Sequence, residues 1–353
     1  MVRVTVEIER AARAVQVTGV GSMPGTDPIE AARIVAGELD VPHLPELPAR
    51  GPGADLLGRT LAQVCATTGE FAAETTPTGW RLAGGRAGAE PGRSMRRGSA
   101  WLAEDGDRLE EALVGFDGTV KVQLAGPWTL AAGLEAPRGT RVLADAGACM
   151  ELAQALGEAA AAHVASMRRR MPGAVVVAQL DEPTLPAVAA GRIRTASGRG
   201  ALRTPEPAEL AGVLTRVRES AQAAGAADVL VHSCAPSLPF DVLTRAGIST
   251  LSLDLAVVGA AADEQLGQWW DRGGRLVLGV VPGTDPVDAA QRQLPESVAR
   301  SVDALWRRIG FGVSEVGERT WLSPACGLAG ASPAWARAYG AVLRRSAAML
   351  QSA

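Results

Sequence analysis

The sequence predicts an α/β fold, a TIM (β/α)8 barrel with a long insertion between the second and third strands. Three observations predict it. Short β-rich runs alternate with longer Ala/Leu/Arg stretches of helical character, the pattern of a parallel sheet with crossover helices. The runs number eight, which favours a closed barrel over an open sheet. The chain has 353 residues, 47% of them hydrophobic, enough for one such barrel with an elaboration and a large core.

The predicted strands are 14–20, 41–46, 120–124, 174–180, 228–232, 250–254, 276–281 and 320–323. The second is crowded by Pro42, Pro45 and Pro48, which remove ladder donors. Helices are predicted over 144–170, 207–224, 286–309 and 334–349. Residues 49–118 form the insertion, which reads as partly mobile or as a lid over the barrel mouth, and Gly, Arg and Pro gather in its 84–97 stretch. Nothing marks a second independent domain, so residues 1–353 read as one unit.

A turn pattern occurs twice, as Met23-Pro24-Gly25-Thr26-Asp27-Pro28 and Val281-Pro282-Gly283-Thr284-Asp285-Pro286. Each reads as a strand-to-helix junction, with Thr or Asp as the cap and Pro in the first turn.

Composition excludes several classes. The formal charge of -3 gives no nucleic-acid footprint. No apolar run reaches membrane-spanning length. Four cysteines are too few for a disulfide framework. The first residues are charged (Arg3, Glu7, Glu9, Arg10) and lack the apolar core of a signal peptide. The expectation is a soluble protein of the reducing cytoplasm, without nucleic-acid or membrane partners. Arg far outnumbers Lys, and Lys121, the only lysine, reads as a product of that compositional bias.

Barrel active sites lie at the C-terminal ends of the strands. Those ends carry Gly21-Ser22, Glu46, Asp181-Glu182, His232 with Cys234, Asp254, and Cys326. Residues two apart on a strand share a face, so His232 and Cys234 can converge on one ion, with Cys326 arriving from elsewhere. One imidazole and two thiolates suit zinc. Cys234 or Cys326 alone would read as a buried small residue, as Cys65 and Cys149 do; joint placement with His232 favours a metal. Asp254 is the candidate fourth ligand, with a helix cap or a solvated side chain as the alternative. Asp181 and Glu182 follow an apolar run and would be costly to bury without partners. Glu46 alone reads as solvated. His43 and His163 read as structural. The Gly19–Gly25 stretch lacks the dinucleotide spacing; its backbone N–H groups near Ser22 suit a small anion such as a carboxylate.

With these pieces in view, the chain resembles the C-terminal catalytic barrel of the cobalamin-independent methionine synthases. The resemblance rests on Val20-Gly21-Ser22-Met23-Pro24, Leu124-Ala125-Gly126-Pro127-Trp128-Thr129, Gln179-Leu180-Asp181-Glu182-Pro183, Val231-His232-Ser233-Cys234 and Pro324-Ala325-Cys326-Gly327-Leu328. They occur in family order across nearly the whole chain. The resemblance implies a zinc-dependent TIM-barrel methyltransferase that methylates the thiol of homocysteine to form methionine. It makes His232, Cys234 and Cys326 zinc ligands. It sets Asp254 where the family has a Glu, one methylene longer. It assigns the amino-acid end of homocysteine to Gly21, Ser22, Glu46 and Asp181, although the Pro-Glu-Leu-Pro around Glu46 differs from the family's Gly-Glu. The family's long form has a further N-terminal barrel; here the catalytic motifs start near the first residue, so a short form is expected. The expected donor is 5-methyltetrahydrofolate or a methylcorrinoid, with a corrinoid protein as the partner that would bring the latter. Two other readings stay open: a methyltransferase for another thiol, such as coenzyme M, with a corrinoid donor, and a zinc-binding barrel without turnover. A uroporphyrinogen-type decarboxylase barrel would leave His232, Cys234 and Cys326 without a purpose.

Overall fold

The computed structural model describes residues 15–83, 92–286, 294–312, 315 and 317–352. Seven parallel strands run in the order β1 (Gln16–Val17), β10 (Thr320–Pro324), β9 (Arg275–Val281), β8 (Thr250–Asp254), β7 (Asp228–Ser233), β6 (Val175–Asp181) and β4 (Thr119–Ala125). The gap between β1 and β4 is filled by 41–46. That segment forms parallel bridges from Val41 to Thr18, from His43 to Lys121 and from Glu46 to Ser22. Its prolines explain why a predicted strand survives only as bridges: Pro42 and Pro45 have no N–H, so Val41, Leu44 and Glu46 donate to Val17, Lys121 and Gly21 in a broken ladder. The first strand is likewise shorter than predicted, and residue 14 lies outside the described residues.

The crossover helices are α1 (Pro28–Glu38), α2 (Leu56–Thr68), α3 (Arg93–Ala112), α4 (Pro127–Gly133), α5 (Ala146–Arg170), α6 (Leu185–Ala189), α7 (Pro207–Ala223), α8 (Phe240–Arg245), α9 (Asp263–Asp271), α10 (Pro295–Arg308) and α11 (Pro333–Ser352). Their apolar faces and the outer faces of the strands make the main core. Of the helix predicted at 286–309, α10 covers the part from Pro295, and 287–293 lie outside the described residues.

The 49–118 segment packs as α2, an antiparallel hairpin of β2 (Ala73–Thr76) and β3 (Gly79–Leu82), and α3. Trp80 in β3 pairs in parallel with Leu134 of the short β5 (Leu134–Glu135). Leu61, Val64, Met95 and Leu109 bury the inner faces of α2 and α3. Of the 84–97 stretch, 84–91 lie outside the described residues, and Arg93 already opens α3.

Asp27 caps α1 through Ile29 N (2.9 Å) and Glu30 N (3.3 Å), as predicted. In the second copy of the turn pattern Asp285 accepts from Ser332 N and Oγ just before α11, tying two loops together, and the helix start predicted after it falls on 287–293, outside the described residues.

The barrel interior is layered by the period of two. Val41, Val177, Leu230, Val277 and Trp321 form a separate apolar plug near the strand starts. Two residues further along, Gln179 and His232 replace Val177 and Leu230; two further still come Asp181 and Cys234. The interior therefore turns from apolar to polar towards the C-terminal mouth.

Candidate metal and substrate site

The ends of β1, β6, β7 and β10 and of segment 41–46 surround a cavity of about 150 Å³. Its lining includes Gly21, Ser22, Glu46, Asp181, His232, Cys234, Cys326 and Gly327. Every sequence-predicted site residue except Asp254 is thus in one place.

His232 leaves β7 with its ring buried. Its Nδ1 lies 2.8 Å from Ser252 Oγ on the neighbouring β8, and its Nε2 is buried without a hydrogen-bond partner. The ligating atoms of His232, Cys234 and Cys326 all lie within 4.8 Å of one another, with Cys234 Sγ donating to Cys326 Sγ over 3.5 Å. Sharing that proton drives the two thiols apart: Cys326 falls to about 4, helped by the nearby His232 ring, while Cys234, as the donor and half-buried, is pushed up. Cys326 is exposed and opens the cluster to solvent.

Asp254, at the end of β8, is not in this close set. Its Oδ1 accepts from Ala256 N at 2.9 Å, and it faces a neighbouring cavity of about 560 Å³ with Gly279, Pro282 and Asp285. Burial raises its carboxyl, as does the Cys326 charge, against the Ala256 N–H.

The other wall is carboxylate. Glu46 and Ser22 are fixed to each other by backbone: Glu46 N donates to Gly21 O (3.1 Å) and Met23 N to Glu46 O (2.8 Å). Leu328 N donates to Ser22 O (2.8 Å), which ties this corner to the Cys326 loop. Gly327 packs close there: a Cβ would meet Ser22 Oγ at 2.0 Å, so the hydroxyl would have to turn away. Burial raises the carboxyl of Glu46; the Arg59 guanidinium, 3.7 Å away, and a Gln123 hydrogen bond oppose it. Burial and the Glu46 charge raise Asp181 well above the usual carboxylate range, against Lys121 and Gln179. Lys121, buried inside the barrel, is lowered to about 8 by desolvation, with Asp181 and Glu46 pulling it back.

Glu182, adjacent to Asp181, points the other way. Its carboxylate accepts from Trp128 N (2.9 Å), Thr129 N (2.9 Å) and Thr129 Oγ1 (2.8 Å) at the start of α4. Burial lifts it to about 7 despite these bonds. It is a structural partner of a helix end. His43 and His163 are buried away from the site, each lowered to about 3 chiefly by desolvation, and Cys65 and Cys149 are buried.

The sequence reading missed four residues around the site: Arg59, Asp105, Lys121 and Gln179. Asp105 on α3 accepts from both Arg50 (2.9 Å) and Arg59 (2.8 Å), and so holds the guanidinium that faces Glu46. Gln179 could have been found, because it stands two residues before Asp181 on one strand face. Lys121 could have been found by its place in an apolar strand.

The family described as the cobalamin-independent synthase catalytic domain matches residues 111–348. Among solved structures, the chain is similar to a B12-independent methionine synthase from Shewanella sp. W3-18-1, in complex with selenomethionine. The TM-score is 0.60 at 13% identity, over 96% of this chain and 98% of that one, a likeness of fold. A match to the carboxyl transferase domain of Rhizobium etli pyruvate carboxylase covers 98% of this chain and 49% of that one, at 10% identity. Its TM-score of 0.29 is too low to bear on the fold. No curated protein matches the chain. Together with the motifs at the strand ends, the family match over two thirds of the chain settles its membership: it belongs to the cobalamin-independent synthase catalytic-domain family.

Proposed function

We propose that the chain is a zinc-dependent methyltransferase that methylates the thiol of homocysteine to give methionine, with 5-methyltetrahydrofolate or a methylcorrinoid as donor. As a member of its family it is a methyltransferase of the methionine synthase type. The observation that carries the reading is one cavity with two unlike walls. Thiol and imidazole donors stand on one side, and two buried carboxylates beside the Gly21–Ser22 backbone stand on the other. That polarity matches a small molecule with a thiol at one end and an ammonium at the other.

The donor set fits zinc. Two sulfurs at ~2.3 Å from a tetrahedral ion lie about 3.8 Å apart, close to the 3.5 Å between Cys234 and Cys326. The orphaned Nε2 of buried His232 would be satisfied by a cation, and Ser252 on Nδ1 orients the ring for it. Zinc, when bound, supplies the positive charge that keeps a substrate thiol deprotonated at neutral pH. Asp254, whose charge is felt by the cysteines, would supply the fourth contact, directly or through a water.

The chain's own residues do the rest. Glu46 and Asp181 take the ammonium, and the N–H groups around Ser22 take the carboxylate. Fixing both ends aligns the sulfur towards the open Cys326 side, where the larger cavity next to Asp254 gives a donor room to approach. The sulfur–carbon bond forms as the donor–methyl bond breaks, the electron pair leaves with the donor, and a methylfolate takes up a proton at the nitrogen that loses the methyl group. Exposure of Cys326 favours turnover over a closed structural metal site. The two carboxylates favour an amino-acid thiol over a sulfonate such as coenzyme M. A reducing cytoplasm suits such free thiols; no helix among the described residues is long and apolar enough to cross a membrane.

The test has two arms. Metal analysis and X-ray absorption are expected to give about one zinc per chain and an added sulfur neighbour when homocysteine is supplied. Methionine formation is then compared with methylfolate, polyglutamylated methylfolate and methylcobalamin. Zinc whose coordination ignores homocysteine, with no donor supporting methionine formation, would sink the proposal.

A further inference from the structure

Beneath the two carboxylates lies a fixed chain of polar groups. Lys121 Nζ donates to Val20 O (2.8 Å) and to Gln179 Oε1 (2.5 Å). Gln179 Nε2 donates to Val20 O (2.8 Å) and to Asp181 Oδ1 (2.6 Å). Lys121 and Gln179 are each 1% exposed and Asp181 6%, so water does not compete for these contacts.

The chemistry allows the Gln179 amide only one orientation. An ammonium carries donors and no acceptor, so the group facing Lys121 must be the amide oxygen. The amide NH2 is then turned to Asp181 and to Val20 O, both acceptors. The reversed amide would set NH2 against the ammonium and oxygen against a carboxylate and a carbonyl. Lys121 thereby fixes the carboxylate of Asp181 through Gln179. The bond holds Oδ1 and leaves Oδ2 for a ligand in the cavity that Asp181 lines. The same ammonium anchors Val20 O, next to Gly21 and Ser22. It also sets a positive charge under Asp181 and Glu46, as Arg59 does beside Glu46, so that two buried carboxylates can share one small cavity.

We infer that Lys121 and Gln179 are positioning residues for the substrate ammonium. By orienting Asp181 they make the site select a thiol that bears an α-amino group. The inference rests on the homocysteine reading above and names how that selection is made.

The experiment compares two thiols on the zinc-loaded protein: homocysteine, and 4-mercaptobutanoate, which is homocysteine without its amino group. Binding is measured by calorimetry for the wild type, Lys121→Met and Gln179→Glu. The wild type is expected to prefer homocysteine. Each variant is expected to lose about 10-fold or more in homocysteine affinity, the worth of a hydrogen bond to a charged group, with 4-mercaptobutanoate held within about 2-fold. Gln179→Glu keeps an acceptor for Lys121 but turns an oxygen on Asp181, so it serves if Lys121→Met does not fold. Variants that keep the wild-type preference, or that weaken both thiols equally, overturn the relay alone. A wild type that binds neither thiol overturns the homocysteine assignment and this inference with it.

Discussion

Cys234 Sγ and Cys326 Sγ lie 3.5 Å apart although 92 residues separate them in the chain. The contact joins the end of β7 to the loop after β10, and buried His232 beside it completes a set of three donors.

Replacing either thiol tests the set directly. Cys326→Ser and Cys234→Ser are each expected to lower zinc affinity by more than ~100-fold, beyond the usual cost of losing an outer-shell partner. Zinc content after dialysis against a graded chelator reads this out. The fold is expected to persist, because the set lies at the barrel mouth and the core is formed elsewhere.

Asp254 stands outside the close set, so its loss should be milder. Asp254→Ala is expected to weaken zinc by roughly 10- to 100-fold, and Asp254→Glu, one methylene longer, to recover part of that. Competition with a colorimetric chelator measures both. Wild-type affinity in Asp254→Ala would remove it from the site.

Gly327 packs against Ser22, where a Cβ would fall 2.0 Å from Oγ. Gly327→Ala must therefore turn the Ser22 hydroxyl to another rotamer, inside the cavity lining. Homocysteine affinity is expected to fall roughly 10-fold, as a misplaced contact costs, while zinc content stays unchanged.

The Glu182 carboxylate accepts three hydrogen bonds at the start of α4, and Glu182 is not among the residues lining the cavity. Glu182→Ala leaves those buried donors unmatched and is expected to cost about 3 kcal/mol of stability. Urea unfolding checks it; a midpoint equal to wild type would contradict the assignment.

His163 is buried and neutral, lowered by desolvation from 6.5 to about 3. The unfolded chain binds its proton below 6.5, and the folded chain does so only near 3. The stability this group lends is full above pH 6.5 and is lost as pH falls through that window. Glu182 runs in the opposite sense, so the comparison is between wild type and His163→Met, in which other groups cancel. Between neutral pH and about pH 5 the wild type should lose about 2 kcal/mol more than the variant. Equal losses would mean that His163 titrates normally in the fold.

Much of the fold was legible in the chain because its signals are local. Continuous apolar runs mark β6 and β7, and the capping Asp27 with Pro28 marks the start of α1. Segment 41–46 was legible as a place and not as a ladder, since prolines deny it the hydrogen bonds while leaving its position in the ring intact. The bond from Ser332 to Asp285 was not legible, because the two residues are 47 apart in the chain.

The sequence by itself determined the barrel, the donor types and the strand ends that carry them, because these follow from periodicity and from residue chemistry. Tertiary structure alone decided which donors meet. It drew His232, Cys234 and Cys326 together, left Asp254 at their edge, and turned Asp181 into the cavity and its neighbour Glu182 away from it. It also gave Lys121 a role that composition concealed, by burying it where Val20 O and Gln179 Oε1 accept its hydrogen bonds. The physical reason is common to all of these. Ligation, desolvation and amide orientation depend on distances between segments far apart in the chain, and closure of the barrel sets those distances.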